Sequence, residues 1–272
     1  MTKRYYEFHH FLDETPPEVG FHQHPFYEMF FFLSGNAGYI IDGRNYKLRP
    51  GDILLTSSLD LHRLNAQPGK PYERIVIWLA NDFFDYMKDF YGEDFTACFT
   101  DAALKNYRLI RPDSQGIAHL KRLCTKMLSA SHDKDIGSTA LTTAYLTEFL
   151  VYVSRAYYDA PASLKDDITE NEKVNQMITY INENISEELS LDHFASKFYT
   201  SKYYLGRQFK QYTGLTLYQY IMKKRLIIAR DMLRTGTPVM DTCEWCGFHD
   251  YSNFLKAFKR EFGQNPSSVQ VH

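Results

Sequence analysis

Residues 191–214 read LDHFASKFYTSKYYLGRQFKQYTG, and residues 239–263 read VMDTCEWCGFHDYSNFLKAFKREFG. The second stretch repeats the first. Phe209-Lys210 followed by Gly214 returns as Phe258-Lys259 followed by Gly263, 49 residues on, while Leu191, Phe194, Ala195 and Phe198 return as Val239, Thr242, Cys243 and Cys246, 48 residues on. The one-residue difference falls in the turn between a short helix and a longer one, where an insertion costs little. At about 100° per residue, Leu205, Phe209 and Tyr212 share one side of the first longer helix, and Tyr203, Arg207 and Lys210 fall almost opposite. The offset carries this pattern to Phe254 and Phe258 on one side of the second helix, and to Ser252, Lys256 and Lys259 on the other. A helix-turn-helix unit uses its second helix in this way, apolar side on its own core and polar side in the major groove. A lone helical Lys or Arg is ordinarily a solvated charge; recurrence in two units sets Arg207 and Lys256 apart from that reading.

Upstream the pattern changes to short strands. Tyr27 to Leu33 and Tyr39 to Ile41 lead into Asp42-Gly43, a dipeptide that favours a tight hairpin. Arg44 to Leu48 meets the Pro50-Gly51 turn, then come Asp52 to Thr56, Leu61 to Leu64 and Glu73 to Ala80. This succession implies an antiparallel meander or barrel over about residues 5–92. Helical spacing follows in Gly116 to Ala130, with Leu120, Leu123, Cys124, Met127 and Leu128 on one face. It resumes in Ser138 to Tyr158, with Leu141, Tyr145, Leu146, Phe149 and Val153. Pro161, small residues and several acids mark residues 159–171 as an exposed linker. The expected class is α+β: a β-barrel with a helical pair in 1–158, then an all-α domain in 172–272.

Composition fits two soluble domains, since 272 residues at about 150 per domain suggest two cores. There are 31 basic and 33 acidic residues, a net charge of -2, but the balance is uneven. Residues 170–272 carry a net +2 and the remainder a net -4. Aromatic residues make up 16%, with 21 Tyr offering apolar faces with a polar rim, which suits small polar ligands or nucleic acid. The longest apolar runs, Met29 to Leu33 and Ile75 to Ala80, fall far short of the ~20 residues of a membrane helix, and Met1 to His10 lacks a secretory apolar core. Cys98, Cys124, Cys243 and Cys246 do not form a disulfide framework. Although Cys243 and Cys246 make a Cys-x-x-Cys pair, both occupy core positions of the repeat, so they read as buried thiols. The expected location is the cytoplasm, with no membrane partner.

The segment Ile178 to Gly263 resembles the double helix-turn-helix region of the AraC/XylS family of bacterial transcription regulators. The residues that carry the likeness are the Leu191 to Phe198 pattern, Ser201-Lys202-Tyr203-Tyr204-Leu205, Phe209-Lys210 with Gly214, Tyr220 with Arg225 and Ala229, Gly247-Phe248, Asn253-Phe254, Phe258-Lys259, Gly263 and Pro266. The resemblance implies a long helix, about Thr216 to Arg234, that joins the two units and sets their recognition helices in successive major grooves. It implies DNA contacts from Ser201, Lys202, Tyr203, Arg207, Lys210, Asp250, Ser252, Asn253, Lys256 and Lys259. Double-stranded DNA is the expected partner, with RNA polymerase and a second copy of the chain as further ones. Two positions depart from the family: Gly206 stands where a polar base-contacting side chain is common, and Thr242 replaces an apolar residue.

In the strand region, His22, His24, Glu28 and Gly35 give H-x-H-x3-E-x6-G, which resembles the first cupin motif. Their even parity would put His22, His24 and Glu28 on one face of a continuous strand, and His62 is the candidate fourth member. Two or three imidazoles with a carboxylate suit Zn, Ni, Mn or Fe. The same residues could instead hydrogen-bond an effector with no metal, or line a polar strand face. In AraC-type sensors the cupin-like barrel generally binds a sugar or other small polar molecule. The reading is a sequence-specific transcription regulator, an activator rather than an enzyme, that responds to such an effector and requires no cofactor. The alternatives are a metal-dependent cupin enzyme fused to a DNA-binding domain, and a DNA-binding protein whose barrel only dimerises. The helices between Gly116 and Tyr158 are the expected dimer contact, on the strength of their apolar faces and of the resemblance.

Overall fold

A computed structural model describes residues 5–14, 20–66, 71–105, 107–159 and 167–269. The chain divides into two compact units. The first holds residues 24–39 and 46–168 with the described part of 1–20, and the second holds 21–23, 40–45 and 169–269.

The strands are β1 (Tyr6–Asp13), β2 (Tyr27–Ser34), β3 (Ala37–Ile41), β4 (Arg44–Lys47), β5 (Ile53–Thr56), β6 (His62–Ala66), β7 (Tyr72–Leu79), β8 (Leu109–Ile110) and β9 (Ile168–Thr169). They form two sheets, β1-β7-β2-β5-β8 and β6-β3-β4-β9. In the first, β7 pairs antiparallel with β1 and β2, and β5 with β2 and β8. Of the two arrangements expected, a meander or a barrel, the meander is not what forms. Strands adjacent in sequence are parted between sheets, because the tight turn at Asp42-Gly43 keeps β3 and β4 together while β2 finds partners far along the chain. Asp42 and Gly43 sit at φ 42° and 79°, the positive values that a two-residue hairpin of this hand requires. Strand β1 has no counterpart in the sequence reading.

Alternation gives the first sheet two different faces. Met29, Phe31, Leu33, Ile53, Leu55, Ile75, Ile77 and Leu79 point one way and form a single core with the helices α1 (Asn81–Tyr91), α2 (Ala97–Leu104), α3 (Ser114–His132) and α4 (Ser138–Tyr158). Glu28, Phe30, Phe32, Tyr72, Arg74, Val76 and Trp78 have the other parity. The apolar stripes of α3 and α4, which suggested a dimer contact, are used within the chain: Leu120, Leu123, Cys124, Met127, Leu146, Phe149 and Val153 are all in this core. Of the stripe residues, Leu141 is exposed.

Residues 160–166 of the expected linker lie outside the described residues, but its end is built into the fold. Asp167 pairs with Arg111 and, at 2.6 Å, with Arg49. Arg111 in turn grips Asp52 through two bonds of 2.7 Å, and Asp52 accepts the Arg49 N–H at 2.7 Å, fixing the Pro50-Gly51 turn. Ile168 and Thr169 join the second sheet.

The second unit contains α5 (Glu172–Glu183), α6 (Leu191–Lys197), α7 (Lys202–Thr213), α8 (Leu217–Arg234), α9 (Val239–Trp245), α10 (Tyr251–Phe262) and a 3-10 turn at Pro266–Ser268. The repeat is thus α6-turn-α7 and α9-turn-α10, with α8 between them. Gly214 and Gly263 end α7 and α10 at φ 73° and 71°, and Thr216 with Gln219 forms a capping box that starts α8. Cys243 and Cys246 are free and buried, packed with Leu226, Leu233, Phe254 and Phe258. Arg225 of α8 ties the two repeats together: its guanidinium donates to Ile185 O at 3.0 Å and Glu187 O at 2.6 Å ahead of α6, and to Gly247 O at 2.8 Å ahead of α10.

The hairpin tip at residues 40–45 belongs to this second unit. Asp42, buried there, accepts a hydrogen bond from the Tyr220 hydroxyl at 2.8 Å and from the Lys224 ammonium at 3.2 Å. Taking the carboxylate away from a buried ammonium is costly. Asp42→Asn retains the positive φ yet should lower stability by about 3 kcal/mol, and Lys224→Met added to it should recover most of the loss, as read by urea denaturation of the full chain.

Candidate DNA-reading helices and a buried histidine–carboxylate cluster

The faces of α7 and α10 follow the 49-residue offset. Leu205, Phe209, Phe254 and Phe258 are fully buried. Ser201, Lys202, Tyr203, Arg207, Lys210, Asp250, Ser252, Asn253, Lys256 and Lys259 all lie on the open side, and all are exposed. Asp250 has a local task as well: its carboxylate accepts the Asn253 N–H at 2.7 Å and caps α10. Lys202 reaches back to Asp192 at 3.0 Å. A side chain at Gly206 would meet the Leu191 side chain at 3.3 Å, so this glycine is where α7 closes on α6.

In the first unit, a polar cluster interrupts the inner face of the five-stranded sheet. Glu28 on β2 lies opposite Trp78 of β7 in register, and Trp78 donates its indole N–H to Glu28 Oε2 at 2.8 Å. The Tyr39 hydroxyl on β3 donates to Glu28 Oε1 at 3.1 Å. His24 Nε2 stands 3.3 Å from Oε2, and the His24 and His62 rings are 4.8 Å apart at 62°. His24, Glu28 and His62 are all buried. Burial by itself raises the Glu28 carboxyl, but the hydrogen bond and charge of His24, the charge of His62 and the Trp78 N–H outweigh it and hold it at about 2. Burial and the Glu28 charge push the Tyr39 hydroxyl well above its ordinary value, so it remains a donor.

His62 opens β6, and the preceding loop is pinned by Asp60, whose carboxylate pairs with the buried Arg108 and accepts the Ser57 N–H at 2.7 Å and hydroxyl at 3.0 Å. His24 precedes β2, its ring stacked on Phe26 at 4.0 Å. His22 does not join them. The parity argument assumed one strand through residues 22–28, whereas β2 begins only at Tyr27, after Pro25, and residues 21–23 belong to the second unit. Tyr39 and Trp78 were missed in sequence. The signal for Trp78 was its even parity in β7 opposite Glu28; that for Tyr39 was not visible, since it sits in the other sheet. His9 on β1 packs 4.5 Å from Trp78.

Among the described residues, no helix is long and apolar enough to cross a membrane. Residues 194–271 match the model of a helix-turn-helix domain. Residues 5–150, more than half the chain, match that of the AraC-like ligand-binding domain. The chain belongs to the AraC family. It is a DNA-binding transcription regulator that carries a ligand-binding domain. The HTH-type transcriptional activator RhaS of Salmonella arizonae is similar at 26% identity over 263 residues, covering 95% of this chain and 91% of that protein. RhaS of Enterobacter sp. (strain 638) is similar to the same extent. Among solved structures, an apo form of ToxT from Vibrio cholerae, carrying one lysine-to-alanine substitution, aligns over 98% of this AraC-family chain and 97% of its own, at 13% identity and a TM-score of 0.44.

Trp78→Phe keeps an aromatic ring and removes the N–H that faces the buried carboxylate. Hydrogen bonds to charged groups contribute about 1.5–3 kcal/mol, and a loss of that size is expected in urea denaturation followed by far-ultraviolet circular dichroism.

Proposed function

We propose that this protein is a transcription activator whose sensor unit takes a small polar metabolite, such as a sugar, and whose helices α7 and α10 read base edges in successive major grooves. The observation that carries the proposal is the repeated outward face: Arg207 and Lys256 at one place, Lys210 and Lys259 at the next, each pair set opposite a buried aromatic or aliphatic row. Arg207 suits a bidentate grip on guanine, and Lys210 and Lys259, farther along their helices, suit phosphate. The RhaS relatives are named as activators, which supports activation and a contact with RNA polymerase here. Effector binding would shift the balance between DNA-binding states by its preference for one of them. The polar cluster of His24, Glu28 and His62 on an otherwise apolar sheet face is the place we assign to the effector.

Binding-site selection at two salt concentrations tests the DNA reading. Arg207→Ala and Lys256→Ala should each relax the preferred sequence at one position, at about 1–3 kcal/mol per lost contact. Lys210→Ala and Lys259→Ala should weaken all sequences alike and lower the salt slope by about one per contact. Unchanged sequence preference in both Arg207→Ala and Lys256→Ala overturns the assignment.

A homodimer on two half-sites is part of the same proposal, because joining two readers multiplies modest affinities through effective concentration. The outward face of α3 carries Lys121, Arg122 and Thr125, all exposed, so a contact there would be polar. Sedimentation at micromolar concentration with operator DNA should show two chains per site; monomer alone, with and without DNA, overturns it.

A further inference from the structure

We propose that His24, Glu28 and His62 hold one divalent first-row transition-metal ion; this rests on assigning that cluster to the sensor's ligand site. The argument begins with hydrogen positions. His24 Nδ1 lies 2.9 Å from Phe26 O, and His62 Nδ1 lies 3.0 Å from Asp60 O. A carbonyl oxygen only accepts, so both Nδ1 atoms carry hydrogen, and Nε2 is the nitrogen that each ring offers to an ion once its proton is displaced. Both Nε2 atoms and the Glu28 carboxylate converge in one buried space, where a divalent ion would take the place of the imidazole protons.

The distances suit that arrangement. The ligating atoms of the three side chains lie within 4.8 Å of one another, and His24 Nε2 to Glu28 Oε2 is 3.3 Å. Ligands about 2.0–2.2 Å from a tetrahedral ion stand roughly 3.3–3.6 Å apart, so the widest pair closes by about 1 Å through side-chain torsions.

The surroundings are those of ligands held in place. Each imidazole is oriented by a backbone carbonyl, and Glu28 is oriented by Trp78 and Tyr39, which donate to its two oxygens and leave a lone pair of Oε2 toward the rings. Asp60, whose carbonyl orients His62, is itself pinned by Arg108 and Ser57. Two imidazoles and one carboxylate favour Zn, Ni, Fe or Mn over Mg or Ca. Three protein donors leave at least one position for water or for an oxygen of an effector.

The test strips the full-length protein with chelator and titrates it with Zn(II), and separately with Co(II) as a spectroscopic probe. Binding of about one ion per chain and a raised Tm are expected. Glu28→Gln and His62→Gln, close in shape to the residues they replace, should each weaken binding by about 100-fold or more. Tyr39→Phe, which keeps every ligand, should weaken it by about 10-fold. His22→Ala should leave it unchanged. If Glu28→Gln or His62→Gln fails to fold, Tyr39→Phe against His22→Ala still decides.

Three results would overturn the proposal: no binding by the stripped protein, equal affinity in all variants, or a thiolate-to-cobalt charge-transfer band, which would place the ion at Cys243 and Cys246. Specific DNA binding measured on the same samples separates the two readings. DNA binding without metal binding overturns only the metal, and metal binding without specific DNA recognition overturns only the regulator reading.

Discussion

The first unit depends on the alternation of β2. Its eight residues are nearly all buried, which a strand with one solvated face would not show. Met29, Phe31 and Leu33 close the core with the four helices, and this fixes the register, because a slip of one residue would drive Glu28 into that core. Once the odd positions are committed, Glu28 must face the other way, opposite Trp78. The polar cluster is thus positioned by apolar packing on the reverse side of the sheet. The same parity in β7 places Tyr72, Arg74 and Val76 with Trp78.

The second unit solves a different problem, that of holding two similar helix-turn-helix units at a fixed spacing. Short helices such as α6 and α9 have little stability of their own, so their placement comes from α8. Arg225 donates to carbonyls ahead of α6 and of α10, and a side chain at Gly247 would come within 2.8 Å of its guanidinium. This explains why glycine and arginine appear together in the pattern that carries the family likeness. Asp42, Tyr220 and Lys224 add a buried charged contact on the same helix. The spacing of α7 and α10 is therefore set by polar contacts to one long helix as well as by the aromatic core around Phe254 and Phe258.

The second unit was legible in sequence because helical contacts are local: periodicity gives the faces, and the repeat gives the same answer twice. Leu205, Phe209, Phe254 and Phe258 went where their spacing put them. The hairpin at Asp42-Gly43 was legible for the same reason, its backbone angles being a property of two residues. Sheet order was not, since β7 pairs with β1 and β2 through contacts that no short window contains. The dimer argument from α3 and α4 misread an apolar stripe whose partner was the chain's own sheet. His22 was misplaced by treating parity as continuous across Pro25, a residue that cannot donate to a ladder and that breaks the strand before Tyr27. The role of Tyr39 depends on the other sheet and that of Trp78 on the pairing of β7 with β2, neither of which spacing encodes.

What the inner sheet face contains bears on why it is built so. Phe26, Phe30, Phe32 and Val76 are buried and apolar, and another hydrophobe at position 28 would continue them without any desolvation cost. A buried carboxylate with two imidazoles is at best neutral for stability compared with such a replacement. It also demands an ordered set of partners, here Tyr39, Trp78, the Phe26 and Asp60 carbonyls, and behind them Arg108 and Ser57. Contributions to folding do not account for an arrangement that an aliphatic side chain would outperform. Donors and acceptors fixed in advance, in a place from which water is excluded, are what the recognition role proposed for this cluster would require.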